Sequence, residues 1–307
     1  MSIFLGFDTS NYTTSAAAVG GGFIKSERKI LEVKEGQRGL RQSDAVFLHI
    51  KNMPSIYGAL VNDINIDEIK GVGVSTKPRT VEGSYMPVFL AGKSYAEITA
   101  ATLKVPLFEY SHQDGHIMAG IISGGNEKLL DKKFLSVHLS GGTTEILKSE
   151  YNGYNFENEI VGGTKDISAG QLIDRIGVLL GIKFPCGKQL ERLAQNAESY
   201  VNTKVCTDGG YANFSGAETA LARMDILPEE KAKSTLVHVA RTLAAMLNNV
   251  VKSEKTEDIL IVGGVASNEF IRDFLINNVN GKIYFAANEY STDNAVGIAA
   301  LAEKGGR

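Results

Sequence analysis

His112 and His116 stand four residues apart in Ser111-His112-Gln113-Asp114-Gly115-His116-Ile117, a spacing that puts both imidazoles on one face of a helix. Two imidazoles one turn apart can reach a single divalent cation. The chain has five histidines, His49, His112, His116, His138 and His238, so a pair at this spacing can also arise by chance. Gly115 lowers helix propensity between them without forbidding the geometry. Gln113 occupies the place where an H-E-x-x-H zinc protease has its glutamate, so peptide hydrolysis by that route lacks its general base. A third ligand has to come from elsewhere. Asp293, in Tyr290-Ser291-Thr292-Asp293-Asn294, is a candidate, although an acid just ahead of a helix is equally a cap.

A second chemistry, anion binding, is suggested by two similar hairpins. Residues 3–8 form an apolar run ending in Asp8, followed by the turn Asp8-Thr9-Ser10-Asn11 and a returning strand over 13–19. Far downstream, the strand 134–139 leads into Ser140-Gly141-Gly142-Thr143-Thr144 and a return over 145–148. Backbone N–H groups and hydroxyls at such tips can receive phosphate oxygens, and a matched pair predicts an internal duplication with a nucleotide cleft. A third segment, the strand 258–262, runs through Gly263-Gly264-Val265-Ala266-Ser267-Asn268 into a helix over 269–277. It matches neither a Walker loop nor a G-x-G-x-x-G fingerprint.

These residues need elements to hold them. Apolar periodicity predicts helices over 44–62, 84–103, 168–180, 187–197 and 231–252, with further strands near 71–75 and 283–286, so the class is mixed α/β. A length of 307 residues favours two domains, expected here as 1–109 with 290–307 and as 110–289. No window approaches the roughly 18 uninterrupted apolar residues of a membrane span, and the start lacks a basic, then apolar, leader pattern. The cytoplasm is the expected location, with Cys186 and Cys206 reduced. A net charge of −3 gives no sign of a broad basic face, so nucleic-acid binding is not supported by charge. Local clusters such as Lys25, Arg28, Lys29 and Lys34, or Arg38 and Arg41, read equally as solvated faces.

Together the segments resemble the TsaD-type family of tRNA adenosine threonylcarbamoyltransferases, once labelled glycoproteases, over nearly the whole chain. Leu5-Gly6-Phe7-Asp8-Thr9-Ser10 looks like the family's L-G-I-E-T-S, and Phe47-Leu48-His49 with Asn52-Met53-Pro54 like its histidine and N-L-P helix. His112 and His116 fall on H-x-E-G-H with Asp114 in place of glutamate, Ser140-Gly141-Gly142-Thr144 on S-G-G-H-T, and Asp174 on the acid of F-D-K. Phe184-Pro185-Cys186-Gly187 falls on Y-P-G-G, Phe214-Ser215-Gly216 on F-S-G, the 263–268 turn on G-G-V-x-x-N, and 290–294 on C-T-D-N.

The resemblance implies a duplicated, actin-like ATPase fold (ribonuclease H-like, two domains around a nucleotide cleft). It also implies one divalent metal, iron or zinc, on His112, His116 and Asp293. Ser140, Gly141, Gly142, Thr143, Thr144, Asp174, Gly187 and Asn268 would then hold an adenine nucleotide or threonylcarbamoyl-AMP. The implied reaction moves the threonylcarbamoyl group to N6 of a tRNA adenosine, with protein partners of that pathway; Asp8 is the one candidate catalytic residue. Three departures stand against the pattern: Asn11-Tyr12-Thr13-Thr14 replaces C-D-E-T, Thr76-Lys77-Pro78-Arg79 replaces a G-P-G turn, and Thr143 replaces the histidine of S-G-G-H-T. They favour a divergent relative, whose alternative role is a nucleotide- and metal-binding module with another acceptor or a regulatory function. A metallopeptidase is disfavoured by the missing glutamate.

Overall fold

The computed structural model describes residues 1–10, 12–32, 40–81, 83–287 and 294–306, and the chain divides into two compact units. The first opens with β1 (Ile3–Asp8), β2 (Thr13–Gly20) and β3 (Phe23–Ile30), then α1 (Gln42–Val61), β4 (Ile69–Lys77), α2 (Phe89–Leu103), β5 (Leu107–Ser111) and α3 (His112–Ser123). Its sheet has the order β3-β2-β1-β4-β5. The β1–β2–β3 part is antiparallel, whereas β4 joins β1, and β5 joins β4, in parallel. Every residue of β1 is buried, as a central strand covered on both faces requires. Ile3, Leu5 and Phe7 pack with Met53, Ile56 and Leu60 of α1 and with Ala96 and Ala100 of α2. The edge strand β3 is half-exposed and carries Lys25, Glu27, Arg28 and Lys29, a composition that discourages further strand pairing. Its weak alternation carries no strand signal in the sequence, where the hairpin is legible only as far as the return over 13–19. Helix α2 begins at Phe89 and not at residue 84, because Pro87 disfavours helical backbone at the residue before it.

The second unit is built from β6 (Phe134–Leu139), β7 (Thr144–Tyr151), β8 (Phe156–Thr164), α4 (Ala169–Leu179), α5 (Gly187–Ala194), β9 (Thr207–Asp208) and β10 (Tyr211–Ala212). It continues with α6 (Ser215–Arg223), α7 (Pro228–Glu254), β11 (Asp258–Val262), α8 (Glu269–Asn278) and β12 (Lys282–Phe285). The sheet order is β12-β11-β6-β7-β8-β10-β9. Its first five strands repeat the first sheet: β6 pairs antiparallel with β7 and parallel with β11, which pairs parallel with β12. That is the duplication anticipated from the two hairpins. The core joins Leu135, Val137 and Leu139 to Leu236, Leu243 and Leu247 of the long helix α7.

The last helix, α9 (Asn294–Gly305), belongs to the first unit. Gly6 and Gly73, register partners on β1 and β4, open the groove it fills. A Cβ on Gly6 would collide with the backbone of Ala295 and Ala299, and one on Gly73 would stand 2.8 Å from Ile298 O. On its other side α9 crosses α3 at Gly297 and Gly115. This crossing moves the domain boundary. The first unit runs through α3 to Glu127 and includes Tyr151–Glu157, beyond the division expected at residue 109. Among the described residues no helix is long and apolar enough to cross a membrane.

Candidate functional site

In the first unit the parallel strands β1, β4 and β5 end together, and polar side chains gather at those ends, where open α/β sheets bind ligands. Asp8 closes β1 and is 1% exposed. Its Oδ1 accepts the Ser75 hydroxyl from β4 and lies 3.0 Å from His112 Nδ1; its Oδ2 accepts Ser10 Oγ at 2.8 Å and Ser10 N at 3.4 Å. Burial pushes this carboxyl up, but the electrostatic pull of His112 and hydrogen bonds from His112, Ser75 and Ser10 outweigh it and hold the pKa at about 2. His49, from α1, lies beneath. Its Nδ1 is 2.8 Å from Thr14 Oγ1, its buried Nε2 has no partner among the described residues, and burial lowers its pKa to about 4 against the opposing pull of Asp8.

Helix α3 starts where β5 ends, so His112 leaves the sheet at once. Ser111 caps the helix: its Oγ accepts Asp114 N at 3.1 Å, while Asp114 Oδ2 accepts Ser111 N at 3.0 Å. The same oxygen receives Thr80 Oγ1 at 3.1 Å, and Pro78 O accepts Gln113 N at 3.1 Å. Asp114, the residue replacing glutamate in the H-x-E-G-H pattern, is thus a buried cap, and the Lys77-Pro78-Arg79-Thr80 segment is tied to it. His112 and His116 share a face of α3, with ring centroids 4.6 Å apart and planes at 70°. Gly115 is required between them because α9 passes there, leaving a Cβ only 3.0 Å from Asn294 O. Asn294, at the start of α9, puts its Nδ2 3.5 Å from His112 Nε2, and its buried Oδ1 has no partner among the described residues.

The two imidazoles fit a divalent cation that accepts nitrogen ligands, such as zinc or iron. Among the described residues no three His, Cys, Asp or Glu side chains form a complete ligand set. Asp293, the expected third ligand, lies outside the described residues.

In the second unit the β6–β7 tip is anchored from beneath. Ser140 N donates to Thr143 O at 2.9 Å, Thr143 N to Ser140 Oγ at 3.1 Å, Ser168 Oγ to Gly141 O at 2.9 Å, and Ala169 N to Thr144 Oγ1 at 2.9 Å. The Ser140 and Thr144 hydroxyls therefore shape the turn. Gly141 and Gly142 are exposed, and among the described residues their N–H groups have no acceptor. Asp174 of α4 stands beside this tip, its Oδ2 4.0 Å from where a Gly141 Cβ would be. Its Oδ1 accepts Cys186 N at 2.8 Å, but burial still raises its pKa. Gly187 follows as the first residue of α5, with open space around it. Gly263 adopts φ +103 where β11 passes Leu139 too closely for any Cβ.

Asn268 occupies its expected place beyond that turn, but as a cap: its Oδ1 accepts Ile271 N at 2.9 Å. Glu191 of α5 adds a carboxylate on Glu269 N at 2.7 Å, so the start of α8 is satisfied by the protein's own side chains. Ser10, Ser75, Asn294 and Glu191 were not singled out in the sequence. Ser10 and Asn294 lay inside the family motifs and Ser75 ended an apolar strand, but Glu191 gave no signal there.

A family model for TsaD, tRNA N6-adenosine threonylcarbamoyltransferase, matches residues 27–300. The tRNA N6-adenosine threonylcarbamoyltransferase of Riemerella anatipestifer is 30% identical over 324 aligned positions, covering 98% of this chain and 92% of that protein. Among solved structures, HypF from T. kodakarensis superimposes with a TM-score of 0.65 at 14% identity, over 99% of this chain and 47% of its own. A ROK family glucokinase from Streptomyces griseus gives 0.58 at 11% identity, over 99% and 100%. These likenesses show the actin-like ATPase fold.

Proposed function

Because the chain belongs to the TsaD family of tRNA N6-adenosine threonylcarbamoyltransferases, we propose that it transfers a threonylcarbamoyl group from threonylcarbamoyl-AMP to N6 of a tRNA adenosine in the cytoplasm. The N6 nitrogen attacks the carbamoyl carbon of the mixed anhydride and a C–N bond forms. The bond from that carbon to the phosphate oxygen breaks, AMP departs with the electron pair, and N6 releases a proton to solvent. In the second unit the free Gly141 and Gly142 N–H groups receive the adenylate phosphate, with Ser140, Thr143 and Thr144 holding the turn in shape. Asp174, Gly187 and Asn268 complete the adenylate contacts. His112 and His116 of α3, with Asp293, would hold one divalent iron or zinc ion. When bound, that ion supplies Lewis-acid polarisation of a carbonyl.

One observation carries this reading from the family to this chain: the His112–His116 face is intact, and its first ring is secured on the fully buried Asp8. The net charge of −3 gives tRNA little overall attraction, so protein partners of the modification pathway are proposed to help deliver it. A second reading, a nucleotide- and metal-binding relative with a different acceptor, is favoured by Tyr12 and Thr13. They stand beside the β1–β2 turn where the family pattern has two acids, and Tyr12 is 44% exposed.

The deciding experiment incubates pure protein with threonylcarbamoyl-AMP and unmodified tRNA, with and without those partners, and measures modified adenosine by mass spectrometry. Modified adenosine in either arm supports transfer. Its absence in both arms, where an active family member succeeds, refutes transfer. Nucleotide and metal still bound would then support the second reading.

A further inference from the structure

Asp8 closes β1 at the strand ends of the first sheet, and its four acceptor positions are all taken. Ser75 Oγ and His112 Nδ1 meet Oδ1, and Ser10 Oγ and Ser10 N meet Oδ2. A carboxylate offers about four lone-pair directions, so Asp8 has none to offer a reacting substrate. It is 1% exposed, while His112, its hydrogen-bond partner on α3, is 20% exposed. The acid that the sequence suggested as a catalytic group thus faces the protein, and it can act on a ligand only through that imidazole.

Acting through the ring has a definite consequence. An ionised carboxylate can only accept, so the nitrogen 3.0 Å from it must carry a hydrogen. In a neutral imidazole the other nitrogen then holds the lone pair. That nitrogen, Nε2, lies 3.5 Å from Asn294 Nδ2, a donor, which agrees with the same assignment. The ring is also wedged between the His116 ring, at 4.6 Å, and the Phe89 ring, at 6.0 Å.

We infer that Asp8 is a positioning residue that fixes His112 in the Nδ1–H form and thereby keeps Nε2 bare as a ligand for a divalent cation. Ser75 and Ser10 hold the carboxylate in turn, so the chain of support runs from the ends of β1 and β4 to the helix that bears the ligands. The inference rests on the metal reading above, and it assigns the strength and geometry of that site to a residue 104 positions away in sequence.

Cobalt(II) tests it on the full-length protein, by titration followed through the visible d–d bands, with the Asp8→Asn variant beside the unaltered chain. Loss of an outer-shell carboxylate of this kind typically weakens metal binding by about 10- to 100-fold. We expect that loss together with altered d–d bands. Unaltered protein that takes up no cobalt overturns the metal reading and this inference together. Cobalt bound equally by both proteins, with identical bands, overturns the inference alone. Long-range 15N–1H correlation of the metal-free, unaltered protein decides even if Asp8→Asn does not fold. A protonated Nδ1 and bare Nε2 on His112 support the assignment, and a protonated Nε2 overturns it.

Discussion

Replacing Gly297 by alanine tests whether the α3–α9 crossing sets the position of the histidine pair. The added Cβ would press into Gly115 O and stand 2.7 Å from Ala119 N, against 3.4 Å for ordinary contact. The shortfall against Ala119 alone is 0.7 Å, and both obstacles are helix backbone that cannot rotate away. Two helices must therefore separate along their crossing, and overpacking of this kind costs about 1–3 kcal/mol. With backbone on both sides the upper end applies. Alanine recovers about 1 kcal/mol through its better helix propensity, leaving a net loss of about 2 kcal/mol. For a chain of 307 residues that corresponds to a fall in Tm of about 3 °C, at about 2.1 cal/mol/K of unfolding entropy per residue. Gly58, inside α1, is the control, because a Cβ there meets nothing within 4 Å. Gly58→Ala should raise stability by about 0.5–1 kcal/mol. Scanning calorimetry of both variants reads the two signs. If Gly297→Ala melts with the unaltered protein, or shifts upward as Gly58→Ala does, then the crossing is not the tight constraint argued here.

Three further outcomes follow from buried polar groups and from the exposed tip. His49 and His238 are both buried with pKa values lowered to about 4 from 6.5, so the unfolded chain binds more protons below pH 6.5. Their contribution is complete above pH 6.5 and is lost as the pH falls toward 4, on the order of 2–3 kcal/mol per ring, and His49→Gln should flatten that part of the urea-midpoint profile. Asp114→Ala strips the acceptor from Ser111 N and Thr80 Oγ1 at the start of α3; denaturant melts should show a loss of about 2–3 kcal/mol, and an unchanged midpoint would contradict the capping role. Gly142→Ala adds a methyl group in open space, so it should leave stability within about 0.5 kcal/mol while raising the dissociation constant for ADP in calorimetric titration. An unaltered ADP affinity would argue that the phosphate binds elsewhere.

What the sequence made legible was local and periodic. The apolar run ending in Asp8, the glycine tip at 140–144 and the helical spacing of His112 and His116 each appear where their patterns placed them. What it hid depends on distant partners. The role of Asp8 needs β4 beside β1 and α3 at the end of β5, none of which is written near residue 8. Gly115 looked like a weak point in a helix, and its reason lies in Asn294 and Ile298 of α9, far along the chain. That same contact draws α3 into the first unit, which no composition shift announces. Asn268 and Asp114 carried family motifs yet spend their side chains on helix starts, because an acid or amide ahead of a helix satisfies N–H groups whatever else it does.

The duplication explains how one architecture can come to handle charges of opposite sign. Both sheets share the order in which β1 or β6 is central, the hairpin partner lies on one side and two parallel strands on the other. At the end of β1 stands Asp8, buried and ionised, whose negative charge draws an imidazole N–H and so favours a cation on that ring. At the end of β6 the chain reads Leu139-Ser140-Gly141-Gly142, where no carboxylate fills the turn and two backbone N–H groups are left open, an arrangement that favours an anion. Within the first unit α3, which follows β5, and α9, which follows β12, cross at Gly115 and Gly297. Changes at the tips alter which ligand is held without disturbing the sheets. On this view Tyr12 and Thr13 belong to the tip that is free to vary, whereas Asp8, one strand-end away, is constrained by the ring it supports.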